Sequence, residues 1–255
     1  MTSHRCGDYA YTLLPDGTAK ILALYAEHDN LTIPARLDGH SVAILGEYAF
    51  GIPFEEYNAF EDPVGRLWET VTMEDGIAVI DDRCFCHSHY MEHIHIPDSV
   101  TSIGVGAFLE CGLHEIQVPS SVTFIGRAAF SDCHFLRRVW LPDGITQLED
   151  YTFDFCNSMS YIRLPANLTR IGRSTFRECR SLTAMQLPDS LTTIEPYAFH
   201  GCTDLQLVAI PAGVSQIGED AFLECDRLTL LVAEGSYAEQ YAKENNIPYL
   251  TPIKE

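Results

Sequence analysis

The stretch CFCHSHYMEHIHIP, from Cys84 to Pro97, contains two cysteines and four histidines within fourteen residues. Thiolate and imidazole are ligands that zinc prefers, so a metal site is the first hypothesis for this stretch. His93 and His95 flank Ile94, and on a β-strand their side chains would point to one face about 6.6 Å apart. Whether they do depends on how the surrounding chain folds.

The surrounding chain is repetitive, with three residue types recurring at intervals close to 23 residues. Prolines stand at positions 97, 119, 142, 165, 188 and 211. Phenylalanines stand at 85, 108, 130, 153, 176, 199 and 222, and cysteines at 111, 133, 156, 179, 202 and 225. One copy reads IPDSVTSIGVGAFLECGLHEIQVP. Such a unit cannot bury its apolar side chains alone, so the period predicts stacked coils with a continuous core.

Within each unit, the I-x-L segment before the proline alternates apolar and polar residues, as a half-buried strand does. Strand pairing would space successive coils by about 4.8 Å, and the proline would end the strand. The glycine after the isoleucine predicts a turn with positive φ. The sequence therefore predicts one solenoid domain with a parallel sheet on one face and short strands or 3-10 turns on the other.

Three segments divide this domain. Residues 1–41 are predicted to form an N-terminal β-type cap, residues 42–233 about eight repeats, and residues 234–255 a helical C-terminal cap. An insertion at 51–66 interrupts the first repeats. Its aromatic residues either shield an irregular coil from solvent or belong to a functional loop. Ser236 and Glu239 have the spacing of a capping box. The predicted apolar stripe of the cap helix consists of Tyr237, Ala238, Tyr241 and Ala242.

The motifs I-G-x-x-A-F-x-x-C and L-x-x-I-x-L-P resemble the bacterial BspA-like leucine-rich repeat family. The resemblance extends over about Leu31 to Leu250, and the closing GSYAEQYAKENNIPY is similar to a terminal cap common in that family. It implies a leucine-rich-repeat solenoid that binds proteins or host components at the cell surface or after secretion. The N-terminus lacks the pattern of a signal peptide, which instead predicts a cytoplasmic location if no leader is missing.

Composition narrows the function further. Lys and Arg number 16 against 36 Asp and Glu, a formal net charge of −20, which disfavours binding to nucleic acid or anionic lipid. No apolar run approaches 18 residues, so membrane insertion is not expected. The chain also lacks phosphate-binding, zinc-protease and serine-hydrolase motifs. We therefore expect a monomeric, non-enzymatic protein without a cofactor.

Aligning the Cys84–Pro97 stretch with the repeat unit predicts the position of each of its residues within the coil. Cys84 takes the small buried site of Ala107, Phe85 is a repeat phenylalanine, and Ser88 stands where other copies have cysteine. Cys86 and His87 fall in the following loop, so Cys84 and Cys86 should not share an ion. The repeat cysteines are expected to be reduced and structural, since free cysteine packs as a small hydrophobe.

The outward strand positions give two candidate sites. His93 and His95 could bind a metal ion, with Glu115 on the next coil as the third ligand, in which case the chain would be a metal-dependent protein or an enzyme. The alternative is a solvated strand face.

Tyr, Trp and Arg are enriched in binding hot spots, and four such residues lie on two adjacent coils: Arg138, Trp140, Tyr161 and Arg163. They predict a site for a protein ligand or a glycan, with internal cation–π stacking as the alternative. A purely architectural spacer is the remaining possibility.

Overall fold

The computed structural model describes residues 2–25, 30–52 and 68–252. This part of the chain forms a β-solenoid of about nine turns with a helix near the C-terminus, which confirms the predicted fold class. In chain order the elements are β1 (Ser3–Cys6), β2 (Tyr9–Leu13), β3 (Ala19–Leu24), β4 (Asn30–Ile33), β5 (Arg36–Leu37), β6 (His40–Leu45), β7 (Thr70–Met73), β8 (Val79–Ile80), β9 (His93–His95), β10 (Ser102–Ile103), β11 (Glu115–Gln117), β12 (Phe124–Ile125), β13 (Arg138–Trp140), β14 (Gln147–Leu148), β15 (Tyr161–Arg163), β16 (Arg170–Ile171), β17 (Ala184–Gln186), β18 (Thr193–Ile194), β19 (Leu207–Ile210), β20 (Gln216–Ile217), β21 (Thr229–Val232), α1 (Tyr237–Glu244) and β22 (Tyr249–Leu250).

Each regular coil contributes one strand to each of two faces. The strand face, as we name it, consists of three parallel sheets with the orders β4-β7-β9, β11-β13-β15 and β17-β19-β21-β22. The second face carries two-residue strands in the orders β8-β10-β12 and β14-β16-β18-β20. At the N-terminal end, β1, β2 and β3 pair antiparallel, and β3 then pairs with β6 in parallel.

A column of stacked phenylalanine rings forms the centre of the core, as the repeat predicts. The ring centroids of Phe108 and Phe130, for example, are 5.2 Å apart with an interplanar angle of 7°. At the ends of the column, Trp68 packs edge-on against Phe50, and Tyr241 against Phe222. The column comprises Phe50, Phe85, Phe108, Phe130, Phe153, Phe176, Phe199 and Phe222.

The repeat cysteines form a second buried column. Each thiol donates to the carbonyl oxygen of the phenylalanine in the preceding coil, as Cys133 Sγ does to Phe108 O at 3.1 Å. Ser88 occupies the equivalent position, and its hydroxyl lies 3.5 Å from Phe50 O, which confirms its predicted register. None of the nine cysteines, all of which are in the described residues, forms a disulfide bond. Burial raises the pKa of Cys133 to about 12.

The structure shows a different reason for the glycine that follows the repeat isoleucine. Gly104 and Gly126 do not have positive φ. A Cβ atom on Gly126 would instead lie 2.6 Å from the backbone nitrogen of Val105, so close approach between coils excludes a side chain. The left-handed residue comes two positions later, at Ala128 with φ 54° and Tyr151 with φ 61°. The prediction of positive φ at the glycine was wrong.

The terminal helix α1 covers the last coil. Ser236 caps it by accepting the backbone N–H of Glu239 at 3.2 Å, whereas the Glu239 carboxylate accepts the N–H of Gly235 at 2.6 Å. Ala238, Tyr241 and Ala242 are buried, but Tyr237 is 44% exposed, so the predicted stripe was wrong at Tyr237. With about 100° of rotation per residue, Tyr237 lies at the margin of the buried arc.

The predicted insertion at 51–66 falls almost wholly outside the described residues, including its aromatic side chains Phe54, Tyr57 and Phe60. Its first two residues are described, and Ile52 donates its backbone N–H to Cys86 O at 3.0 Å. Cys86 and His87 are both buried. In the described residues, no helix combines the length and apolar character needed to span a bilayer.

Candidate functional site

The four residues of the predicted binding site lie together in the middle of the strand face; we call them the central cluster. Arg138 pairs with Tyr161 and Trp140 with Arg163 in the register of β13 and β15, as the repeat predicts. The intervening Val139 is buried, so its neighbours on β13 are directed outward. Tyr161 is 48% exposed and Trp140 is half-buried.

The contacts within the central cluster differ from the predicted cation–π stacking. The rings of Trp140 and Tyr161 contact each other, with centroids 5.9 Å apart and an interplanar angle of 53°. Arg163 donates from Nη1 to Leu141 O at 2.8 Å and from Nη2 to Asp143 Oδ2 at 3.1 Å. Because its guanidinium group is held by a carboxylate and a carbonyl, the stacking alternative was wrong for Arg163.

Both arginines of the cluster have acidic neighbours on the same surface. Arg138 Nη1 lies 4.0 Å from Glu115 Oε2. Asp143 accepts the backbone N–H of Ala166 at 3.0 Å, and this bond, followed by the interaction with Arg163, lowers the pKa of the Asp143 carboxyl. Together with Glu115 and Asp143, the central cluster is therefore close to charge balance, although the whole chain carries −20.

Two open grooves lie on the strand face, one on each side of the Trp140–Tyr161 pair. The first, about 640 Å³, is lined by Asp75, His93, His95, Glu115, Gln117 and Trp140 among others. The second, about 650 Å³, is lined by residues that include Tyr161, Arg163, Ala184, Met185, Gln186 and Asp189. The ring pair thus forms the boundary between two concave surfaces, a position from which one ligand can contact both rings.

The predicted metal ligands do not converge as the sequence suggested. His93 and His95 are exposed on β9, but they are about 6.6 Å apart along the strand. The structure places His93 with Glu92 and His114, whose ligand atoms all lie within 4.8 Å of one another. His95 and Glu115 do not belong to this group, although both line the same groove as His93. The close groups among the described residues therefore do not include the predicted set of His93, His95 and Glu115, which stays a prediction.

Two further groups of ligand-type residues, which sequence reasoning missed, occur in the turns after the repeat phenylalanines. One contains His87, His89 and Glu110. The other contains Glu178, His200 and Glu224. Both combine residues from more than one coil, and each of these residues lies one to four positions after a repeat phenylalanine. Aligning those turn positions between copies would have revealed them, whereas strand alternation could not.

The coils, the phenylalanine column and the parallel strand face define a leucine-rich-repeat solenoid. Residues 56–182 and 129–242 match the BspA type Leucine rich repeat region, in six copies. These matches cover more than half of the chain, which therefore belongs to this family.

Solved structures of similar proteins support the same architecture. A leucine-rich repeat protein from T. pallidum is 20% identical, with 98% of each chain covered and a TM-score of 0.62. One from Bacteroides ovatus is 24% identical, with 90% of this chain and 70% of the other covered and a TM-score of 0.56. At these identities the likeness concerns the fold alone. No curated protein matches the chain.

Proposed function

We propose that this chain is a non-catalytic recognition module that binds a protein ligand through its strand face, with the central cluster as the centre of contact. The observation that carries the proposal is the Trp140–Tyr161 pair, which lies between two grooves and is flanked by Arg138 and Arg163. Leucine-rich repeats are typically interaction modules, which supports the same class of function.

The physical case rests on the kind of surface that these residues make. Trp, Tyr and Arg dominate measured binding energies because each combines a large apolar area with a polar group. The strand face is rigid, since its backbone is hydrogen-bonded from coil to coil, so little conformational entropy is lost when a ligand binds. Charge balance within the cluster also limits the repulsion that a net charge of −20 would exert on an acidic ligand.

A capture experiment with matched variants tests the proposal. Immobilised wild-type chain, the double variant Trp140→Ala/Tyr161→Ala and the control Phe124→Ala are exposed to extracts from the native setting, and retained proteins are identified by mass spectrometry. Phe124 is an exposed aromatic residue on the second face. We expect a protein that wild type and control retain and the double variant loses. For the purified protein, the Kd should rise by about 30-fold or more, the equivalent of a hot-spot loss of about 2 kcal/mol.

The other outcomes separate the alternatives. A ligand whose affinity is unchanged in the double variant would remove the central cluster from the interface. Binding to a glycan array that the double variant abolishes would assign the same surface to a carbohydrate. If neither extracts nor arrays yield a ligand, the solenoid is better described as a spacer.

A further inference from the structure

The turns that follow the repeat phenylalanines form a column of their own, outside the strand face. Two residues after Phe85, Phe108 and Phe130, the chain adopts left-handed φ values of 61°, 54° and 59° at His87, Glu110 and Asp132. The backbone N–H of His87 donates to Leu109 O at 2.8 Å, and that of Glu110 to Ser131 O at 2.9 Å. Their side chains therefore start from equivalent, fixed points on successive coils.

Three side chains converge at the beginning of this column. The ligand atoms of His87, His89 and Glu110 all lie within 4.8 Å of one another. Nδ1 of His87 is 3.4 Å from Oε2 of Glu110, and the two imidazole rings have centroids 6.1 Å apart, tilted by 49°. His87 is buried, while His89 and Glu110 are half-buried.

One distance within this group matches that of a tetrahedral metal site. Zinc binds imidazole nitrogen and carboxylate oxygen at about 2.0–2.2 Å, which places neighbouring ligand atoms about 3.4 Å apart. The distance between His87 Nδ1 and Glu110 Oε2 already has this value. Two imidazoles and one carboxylate leave the fourth position open for water, a donor set that suits zinc and related transition metals rather than calcium or magnesium.

A small cavity adjoins the group at His89 and Glu110. It has a volume of about 60 Å³, and His89 and Glu110 line it together with Asp132 and His134. A water molecule occupies about 30 Å³ in the liquid, so the cavity can hold a metal-bound water. Asp132 and His134 belong to the next coil and can accept or donate hydrogen bonds to that water.

The other two groups are weaker candidates. In the group of Glu92, His93 and His114, His93 is exposed, so water competes more strongly for the ion. In the group around His200, only one imidazole is present. The His87 group combines two imidazoles with burial and a backbone fixed by two coils.

We propose that His87, His89 and Glu110 bind one divalent transition-metal ion of the zinc type, with water as the fourth ligand, and that the ion joins two successive coils. The site lies outside the central cluster, so it does not depend on the proposed recognition function. Because the ion would bind the folded chain, it should also raise the free energy of unfolding, by an amount that grows with the logarithm of the free ion concentration above the Kd.

Zinc itself is the probe for this proposal. The full chain without a histidine tag is stripped with chelator, dialysed against micromolar zinc and analysed for bound metal, and the Kd is measured by titration. We compare wild type with His89→Ala and Glu110→Gln, which leave the buried His87 in place. The matched controls are His95→Ala, an exposed histidine of the strand face, and His114→Ala, which removes a ligand of the neighbouring group.

We expect wild type and both controls to bind one zinc ion tightly and to show a higher melting temperature with zinc. Each of the variants His89→Ala and Glu110→Gln should raise the Kd for zinc by at least about 100-fold. Removing a residue that only hydrogen-bonds to a metal ligand weakens binding by up to about 100-fold, and loss of the ligand itself should cost no less. Melting of the metal-free variants, compared with metal-free wild type, shows whether each is folded. The proposal is overturned if wild type binds no zinc, if both ligand variants bind it unchanged, or if only His114→Ala loses it.

Discussion

The inward and outward columns of the solenoid are made by the same coils, yet they differ in how strongly one coil constrains the next. Inward, phenylalanine stacks on phenylalanine through the array, with interplanar angles as small as 2° between Phe199 and Phe222. Outward on the strand face, one column has a different residue type at each of seven successive coils: Thr70, His93, Glu115, Arg138, Tyr161, Ala184 and Leu207.

The difference follows from what holds each column together. An inward ring must fill the space between two others at the density of a protein interior, so its shape is fixed by its neighbours. An outward residue is positioned by backbone hydrogen bonds, which are indifferent to side-chain type. Repetition is therefore a property of the packed interior, and the chemical variety available for function lies in the outward and turn columns.

The largest expected effect is on the inward column. Phe130→Ala removes a fully buried ring that stacks on Phe108 and Phe153, and should lower the free energy of unfolding by about 3–5 kcal/mol. The outward counterpart is Phe124→Ala, since Phe124 is 47% exposed. For this variant we expect the free energy of unfolding to change by no more than about 0.5 kcal/mol. Urea unfolding followed by circular dichroism measures both. Similar losses in the two variants would show that the columns do not differ in the way described.

The buried thiols give the inward column a pH dependence. Burial raises the pKa of Cys133 to about 12 and that of Cys156 well above its usual value, whereas a thiol in the unfolded chain has a pKa of about 8.5. A raised folded-state pKa means that the stabilisation is fully present below about pH 8.5 and is lost as the pH rises towards the folded value. Each such thiol should lower the free energy of unfolding by about 1.4 kcal/mol per pH unit above about pH 9.

A single-site variant isolates one of these thiols. Under reducing conditions, the stability of wild type should fall steeply between pH 8.5 and 10, and Cys156→Ala should show a slope smaller by about 1.4 kcal/mol per pH unit. Urea midpoints at several pH values provide the measurement. Ser88→Ala is the control, because Ser88 occupies the equivalent position of the column but carries no thiol, so its removal should leave the slope in this range almost unchanged. Equal slopes in wild type and Cys156→Ala would refute this explanation.

The inward column could be predicted from the sequence more fully than the outward columns. The register of Phe130, Cys133 and Val139 could be read directly, because packing repeats these residue types with the coil. The outward positions of Trp140 and Arg163 followed from strand alternation. Their contacts did not follow, since whether a guanidinium group meets a ring or a carboxylate depends on side-chain conformation and on residues such as Asp143, which lies beyond the strand.

The turn columns were the hardest part to predict. The alternation of inward and outward residues along the strand predicts that His93 and His95 share a face. It carries no information on the two turns that contain His87 and Glu110. The same limit explains the error at Gly126, where the sequence pattern is compatible with a positive φ and with close backbone approach. Only the positions of the neighbouring coils distinguish these two causes.

The smallest expected effect concerns an outward residue and has the opposite sign with pH. The Asp143 carboxylate accepts the Ala166 N–H and pairs with Arg163, which lowers its pKa in the folded state, whereas the unfolded value is about 3.9. A lowered folded-state pKa means that the stabilisation is present above about pH 4 and is lost as the pH falls through the folded value. Asp143→Asn should therefore be slightly less stable than wild type at pH 7, and the two should converge near pH 2, where a protonated carboxyl resembles an amide. Thermal melts at pH 7, 4 and 2 measure the gap, and a gap of constant size across this range would mean that Asp143 acts through its shape and not through its charge.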